Sequence, residues 1–169
     1  MTIYIALLRA VNVGGTGKLS MEDVRALCRN AGFAGVETYI ASGNVVFESK
    51  ASASRVKSEL EQRLLPLLGK SARVAIRTAS EMRAVLEANP FPRAAPNLTY
   101  AVFLDKRPPA DTMDHIAGRA DEEIGLGARE IFVHYPHGMG RSKLRIPAAK
   151  DGTARNLNTV AKLVAMASK

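Results

Sequence analysis

Tryptophan is absent from this 169-residue chain, and the aromatic share is only 5%. That leaves little material for a recognition surface of stacked rings. A single cysteine, Cys28, excludes an internal disulfide and so the stapled class of small secreted domains. No run reaches the roughly 18 apolar residues that a spanning helix needs. Residues 1–9 lack the basic flank and long apolar segment of a secretory leader. The expectation is a soluble, cytoplasmic protein with no membrane partner. What is present is 47% hydrophobic and 24% charged residues, a globular composition. Lys and Arg number 24 against 16 Asp and Glu, a formal charge of +8. Such an excess attracts phosphate-bearing partners, and it also serves plain solubility. The basic residues are spread along the chain without a block of five or six.

Residues 3–8 form a short continuous apolar run, the pattern of a strand buried on both faces. A Gly-rich stretch from Asn12 to Leu19 follows. Ser20, with Asp23 in the first turn, opens a helix whose apolar positions are Met21, Val24, Leu27, Cys28 and Ala31. Cys28 sits on that stripe, as a core residue rather than a nucleophile. Two β-rich runs, 35–40 and 44–48, flank Ala41-Ser42-Gly43 as a hairpin. A helix over 52–68 carries Val56, Leu60, Leu64 and Leu67 on one side, with Pro66 in its last turn. A strand over 73–78 completes β-α-β-β-α-β, the split βαβ order of ferredoxin-like folds.

Thr78 and Glu81 have capping-box spacing before a helix with Met82, Val85 and Leu86 inward. Prolines 90, 92 and 96 mark a junction. Beyond it the pattern predicts a strand over 98–104, a helix near 110–118, a hairpin over 121–126 and 129–135, and a closing helix. That helix carries Leu157, Val160, Leu163, Val164 and Ala167. The second half thus reads β-α-β-β-α, offset by about 95 residues from the first. The expected fold is α+β, two ferredoxin-like halves related by structural duplication. The halves are residues 1–78 and 98–169, joined by a helix and Pro-rich junction over 79–97.

The residues least like generic core are Leu8-Arg9-Ala10-Val11-Asn12-Val13-Gly14-Gly15 and Tyr39-Ile40-Ala41-Ser42-Gly43-Asn44-Val45-Val46-Phe47. Further on are Asn89-Pro90-Phe91, Arg141-Ser142-Lys143-Leu144 and Thr153-Ala154-Arg155-Asn156-Leu157-Asn158-Thr159-Val160. In combination and order they resemble the bacterial family catalogued as domain of unknown function 1697. The resemblance covers nearly the whole chain. It implies paired ferredoxin-like units and names no reaction. Leu157 departs from it, because the family often carries Trp there. If that Trp touches a ligand, this chain lacks the contact; if it only packs, Leu is a smaller substitute.

In a split βαβ unit the first and third strands are adjacent and antiparallel. The exit of the first, Arg9 to Asn12, then meets the start of the third, Ser42 to Asn44. The first helix begins at the same edge, adding free N–H groups and a partial positive charge. Gly14, Gly15 and Gly17 permit close backbone approach, and Arg9 and Lys18 supply charge, which makes an anion pocket. The alternative is a structural corner, with Arg9 paired to a carboxylate, Asn12 and Asn44 closing turns and the glycines supplying positive φ. The candidate ligand-binding set is Arg9, Asn12, Gly14, Gly15, Tyr39, Ser42 and Asn44, extended by Lys143, Arg155 and Asn156 if both halves build one site.

Other constellations fail. Residues 12–20 approximate a P-loop, but Asn12 replaces its first Gly and Leu19 its magnesium-binding Ser or Thr. An RNA-recognition sheet needs exposed aromatics on its third strand, where only Phe47 is available. His134 and His137 lack further metal ligands, so neither metal nor cofactor is expected. The loop over 135–143 reads as a surface loop or as a lid or polyanion contact. Asp121-Glu122-Glu123 reads as a solvated turn. The function expected first is non-catalytic binding of a phosphate-bearing partner, small ligand or nucleic acid, at the end of the first sheet. The alternatives are a small enzyme acting on a phosphorylated or carboxylated substrate, and an interaction module with a basic face.

Overall fold

The computed structural model describes residues 1–9, 19–40, 43–68 and 73–168. The chain divides into two compact units, Met1–Met82 with Leu163–Lys169, and Arg83–Lys162. Four helices and two four-stranded antiparallel sheets make an α+β fold among the described residues.

In the first unit, β1 (Thr2–Leu8), β2 (Ala34–Tyr39), β3 (Asn44–Ser49) and β4 (Val74–Thr78) form a sheet of order β2-β3-β1-β4. Alternation along β1 sends Tyr4, Ala6 and Leu8 into a core with Val45, Phe47, Val74 and Ile76. The helices α1 (Met21–Asn30) and α2 (Ala53–Leu68) close that core with Val24, Cys28, Val56, Leu60 and Leu64. Ile5 and Leu7, on the other face of β1, are also fully buried. The central strand is therefore an apolar run, and no open stacking surface exists on it.

Local chemistry sets the helix starts. Asp23 N–H donates to Ser20 Oγ at 3.0 Å, and Ser20 N–H donates to Asp23 Oδ2 at 3.2 Å. The same reciprocal box opens α3 (Ala79–Glu87), where Glu81 N–H reaches Thr78 Oγ1 and Thr78 N–H reaches Glu81 Oε1. Cys28 is buried, and burial pushes its thiol up to about 12, so it is a core side chain. Helix α2 runs through Pro66 to Leu68, and its last turn differs from the expected stripe. Proline removes one backbone donor there; Leu68 packs on the core while Leu67 stays 53% exposed.

The second unit pairs β5 (Thr99–Phe103), β6 (Glu123–Leu126), β7 (Glu130–His134) and β8 (Thr153–Asn156) in the order β6-β7-β5-β8. Two stretches of this unit differ from the sequence expectation. The helix expected near 110–118 is one 3-10 turn, Thr112–His115, after which Ile116 is extended and Ala117 bridges Arg145. Thr112 is its only buried residue, so there is no apolar stripe to offset helix nucleation. The residues preceding the last helix form β8, which periodicity missed because Thr-Ala-Arg-Asn has a single short apolar side chain. Pairing with the free edge of β5 makes it a strand. The second half thus runs β-β-β-β-α, ending in α4 (Leu157–Ala167), instead of β-α-β-β-α. Leu157, Val160, Leu163 and Ala167 of α4 are buried.

Candidate functional site

Two places collect the polar residues. The first is the end of the first sheet. Leu7 pairs with Asn44, and Leu8 N–H donates to the Gly43 carbonyl at 2.8 Å, so the exit of β1 lies beside the start of β3. Tyr39, the last residue of β2, pairs with Asn44 and accepts its Nδ2–H at 2.9 Å. Asn44 is wholly buried and closes the hairpin. Arg9 N–H donates to the Arg73 carbonyl at 3.0 Å, extending the β1–β4 register by one residue and setting two arginines opposite each other. Asn12, Gly14, Gly15 and Ser42 lie outside the described residues, as do Gly17 and Lys18. Of the candidate set, Arg9, Tyr39 and Asn44 therefore come together at this end.

Arg73 was missed by sequence reading. Its signal was available, since the residue before β4 must face the residue after β1 once those strands pair antiparallel. Beside this cluster, Ile40 has φ 50° and is 52% exposed. A β-branched residue in the left-handed region is strained by about 1–3 kcal/mol, and such strain tends to gather at functional turns.

The second place is a cleft of about 280 Å³ in the second unit. Its lining comes from residues 118–122 and 135–143. Ala117 and Arg145 exchange both backbone hydrogen bonds, at 3.0 and 2.7 Å, and clamp the bases of the two segments. Gly118, at φ +71°, lies so close that a Cβ would sit 2.0 Å from the Lys143 carbonyl oxygen. Higher in the cleft Ser142 Oγ donates to Glu122 Oε2 at 2.5 Å and accepts Leu144 N–H at 3.1 Å. Ala120 N–H reaches Glu122 Oε1 at 2.6 Å. Glu122 is thus a buried clasp between two loops, where the sequence suggested a solvated turn.

The hydrogen bond from Ser142, then that from Ala120, holds the Glu122 carboxyl below its ordinary value of 4.5. The unfolded chain therefore binds the proton more readily than the folded one. The clasp's contribution is complete above pH 4.5 and is lost as pH falls through the lower folded value. Glu122→Gln is expected to flatten this acid-side loss of stability, measured as thermal midpoint between pH 3 and 6. An unchanged slope would remove Glu122 from the account.

The two histidines part company. His137 Nε2 pairs with Asp121 Oδ2 at 2.8 Å beside the cleft, whereas His134 ends β7 with Nδ1 3.9 Å from Glu123 Oε1. Among the described residues no three His, Cys, Asp or Glu side chains gather as metal ligands. Lys143 is exposed and lines the cleft. Arg155 and Asn156 are on β8 and are not part of that lining. Arg155 is 7% exposed, and its NH1 donates to Thr153 Oγ1 at 2.7 Å and the Ala154 carbonyl at 2.9 Å. Burial lowers its pKa to about 10, so it stays charged at neutral pH. Asn156 Oδ1 accepts Thr159 N–H at 2.9 Å and caps α4. Leu157, where the family often has Trp, is 2% exposed.

Among the described residues the chain is thus α+β, with two four-stranded antiparallel sheets and these two polar clusters. The sequence belongs to the family described as "Protein of unknown function (DUF1697)", whose match spans residues 1–132. A solved structure, the conserved bacterial protein SP0830 from Streptococcus pneumoniae, is similar with a TM-score of 0.81 and 26% identity, covering 98% of each chain. No curated protein matches the sequence. No helix among the described residues is long and apolar enough to cross a membrane.

Proposed function

We propose that this protein is a non-catalytic binder of a phosphate-bearing partner, small ligand or nucleic acid, engaged at the end of the first sheet. The observation that carries the reading is the Arg9–Arg73 juxtaposition beside the Asn44 hairpin. Two guanidinium groups offer planar forks of donors suited to phosphate oxygens. The strained Ile40 in the adjoining turn and the net charge of +8 add support. Anisotropy of labelled single-stranded RNA, single-stranded DNA and duplex DNA, titrated over increasing salt, tests it. Arg9→Ala and Arg73→Ala should each reduce the slope of log affinity against log salt by about 1 if each contacts one phosphate. Absence of binding at low salt rejects the nucleic-acid form, and an Arg9→Ala, Asn44→Ala pair that binds inorganic phosphate like the parent rejects the small-ligand form.

The finer architecture belongs to the same proposal: the halves are ferredoxin-like duplicates. The matching strand orders support it, as does the register. Tyr4 pairs with Thr78 and Ile5 with Arg77; Tyr100 pairs with Asn156 and Ala101 with Arg155. Arg77 and Arg155 are both buried, and each donates from NH1 to the carbonyl of the residue before it at 2.9 Å. Thr78 and Asn156 each cap the helix that follows directly. The second half departs from the pattern in having only 3-10 turns where the first has crossover helices.

A small enzyme is the second reading, favoured by His137 being held against Asp121, a geometry that orients an imidazole for proton transfer. Turnover of a phosphorylated or carboxylated compound, lost in His137→Gln, would replace the binding reading.

A further inference from the structure

We propose that the cleft of the second unit is a separate binding site for a small phosphomonoester. Some of the lining groups already have partners and others do not. Asp121 is paired with His137, and both Glu122 oxygens accept hydrogen bonds from the walls. Among the described residues no hydrogen bond or ion pair engages the Arg141 guanidinium, the Lys143 ammonium or the Tyr135 hydroxyl. The acidic groups of the cleft are satisfied, and its cations and phenol are not.

Both cations belong to the lining of one cleft, on either side of Ser142 in the chain. Ser142 itself has φ −76° and ψ 141°, a polyproline-II conformation with about three residues per turn. Ser142 is fixed by Glu122 and by Leu144 N–H, which holds the backbone between the two cations. Tyr135 forms part of the same lining, and its ring is braced edge-on against Tyr100 at 5.6 Å between centroids. Burial first, and then the negative charge of Glu122, raises the Tyr135 pKa, so its hydroxyl keeps its proton and remains a donor.

Ligand class follows from charge and size. Two cations that form no ion pair match a phosphomonoester, which carries about −1.5 to −2 at neutral pH. A monocarboxylate would leave one cation unused. Asp121 and Glu122 line the same cleft, so added negative charge beyond one phosphate, as in a diphosphate or a nucleic-acid backbone, is disfavoured there. The volume of about 280 Å³ suits a small compound, with Tyr135 and Pro136 as an apolar wall for its organic part.

The site does not depend on the reading of the first sheet, and the test keeps the two apart. The amide shifts of the ¹⁵N-labelled full chain are followed during titration with ethyl phosphate, with acetate and pyrophosphate as comparisons. Saturable shifts centred on residues 118–122 and 135–143 are expected, stronger with ethyl phosphate than with either comparison. The double variant Arg141→Ala, Lys143→Gln should bind about tenfold more weakly or worse, since two charge-assisted contacts are lost. Arg9→Ala should bind ethyl phosphate here like the parent. No saturable response, a response centred elsewhere, or one that the double variant leaves unaltered overturns the proposal.

Discussion

Gly118→Ala is expected to destabilise the protein by about 2–4 kcal/mol, from a strained left-handed φ added to a backbone collision. The new Cβ would lie 2.0 Å from the Lys143 carbonyl oxygen and 2.8 Å from its carbon, at φ +71°. A flexible side-chain tip could move aside, but these are backbone atoms held by the Ala117–Arg145 bridge. Relief requires parting the two segments that line the cleft, so the loss should reach the cleft as well as the stability. Urea denaturation gives the first number, and the amide shifts of residues 135–143 report the second. A loss below about 0.5 kcal/mol, the range of an ordinary surface change, would mean that the clamp yields freely.

Phe47→Ala should cost about 3–5 kcal/mol, the range for emptying an aromatic position in a packed core. Phe47 is fully buried on β3 and stacks on Phe33 with centroids 4.4 Å apart and planes 9° from parallel. Tyr4 lies 6.0 Å away on the neighbouring strand, paired directly with Phe47. Phe47→Leu keeps most of the volume but loses the stack, and about 1–2 kcal/mol is expected for it. Near-ultraviolet circular dichroism and urea unfolding of both variants test the ordering. Equal losses would show that ring geometry, rather than filling the space, governs this core.

Much of the first unit was legible in the sequence because its signals are local. The apolar run of β1, the Ser20–Asp23 and Thr78–Glu81 boxes and the Val56, Leu60, Leu64 stripe each state their structure within a few residues. The hairpin start at Asn44 was equally plain, and topology then placed Arg9 beside it. Arg73 needed one further step, the antiparallel register that sets it across from Arg9.

The second unit was less legible, and the reason is physical. Strand β8 has no pattern of its own and exists because β5 offers an edge. The expected helix near 110–118 had acceptable residues but no stripe to bury, so bridging to Arg145 prevailed over a local helix. Glu122 and Ser142 are 20 residues apart, and nothing in either neighbourhood says that they meet. The sequence by itself determined composition, charge, the paired β-rich halves and the capped helices, because those follow from short-range sterics and periodic burial. The tertiary structure alone decided which polar groups are satisfied. Partnership across loops depends on distances that no spacing encodes, and that is what leaves Arg141, Lys143 and Tyr135 free to meet a ligand while Asp121 and Glu122 are already engaged.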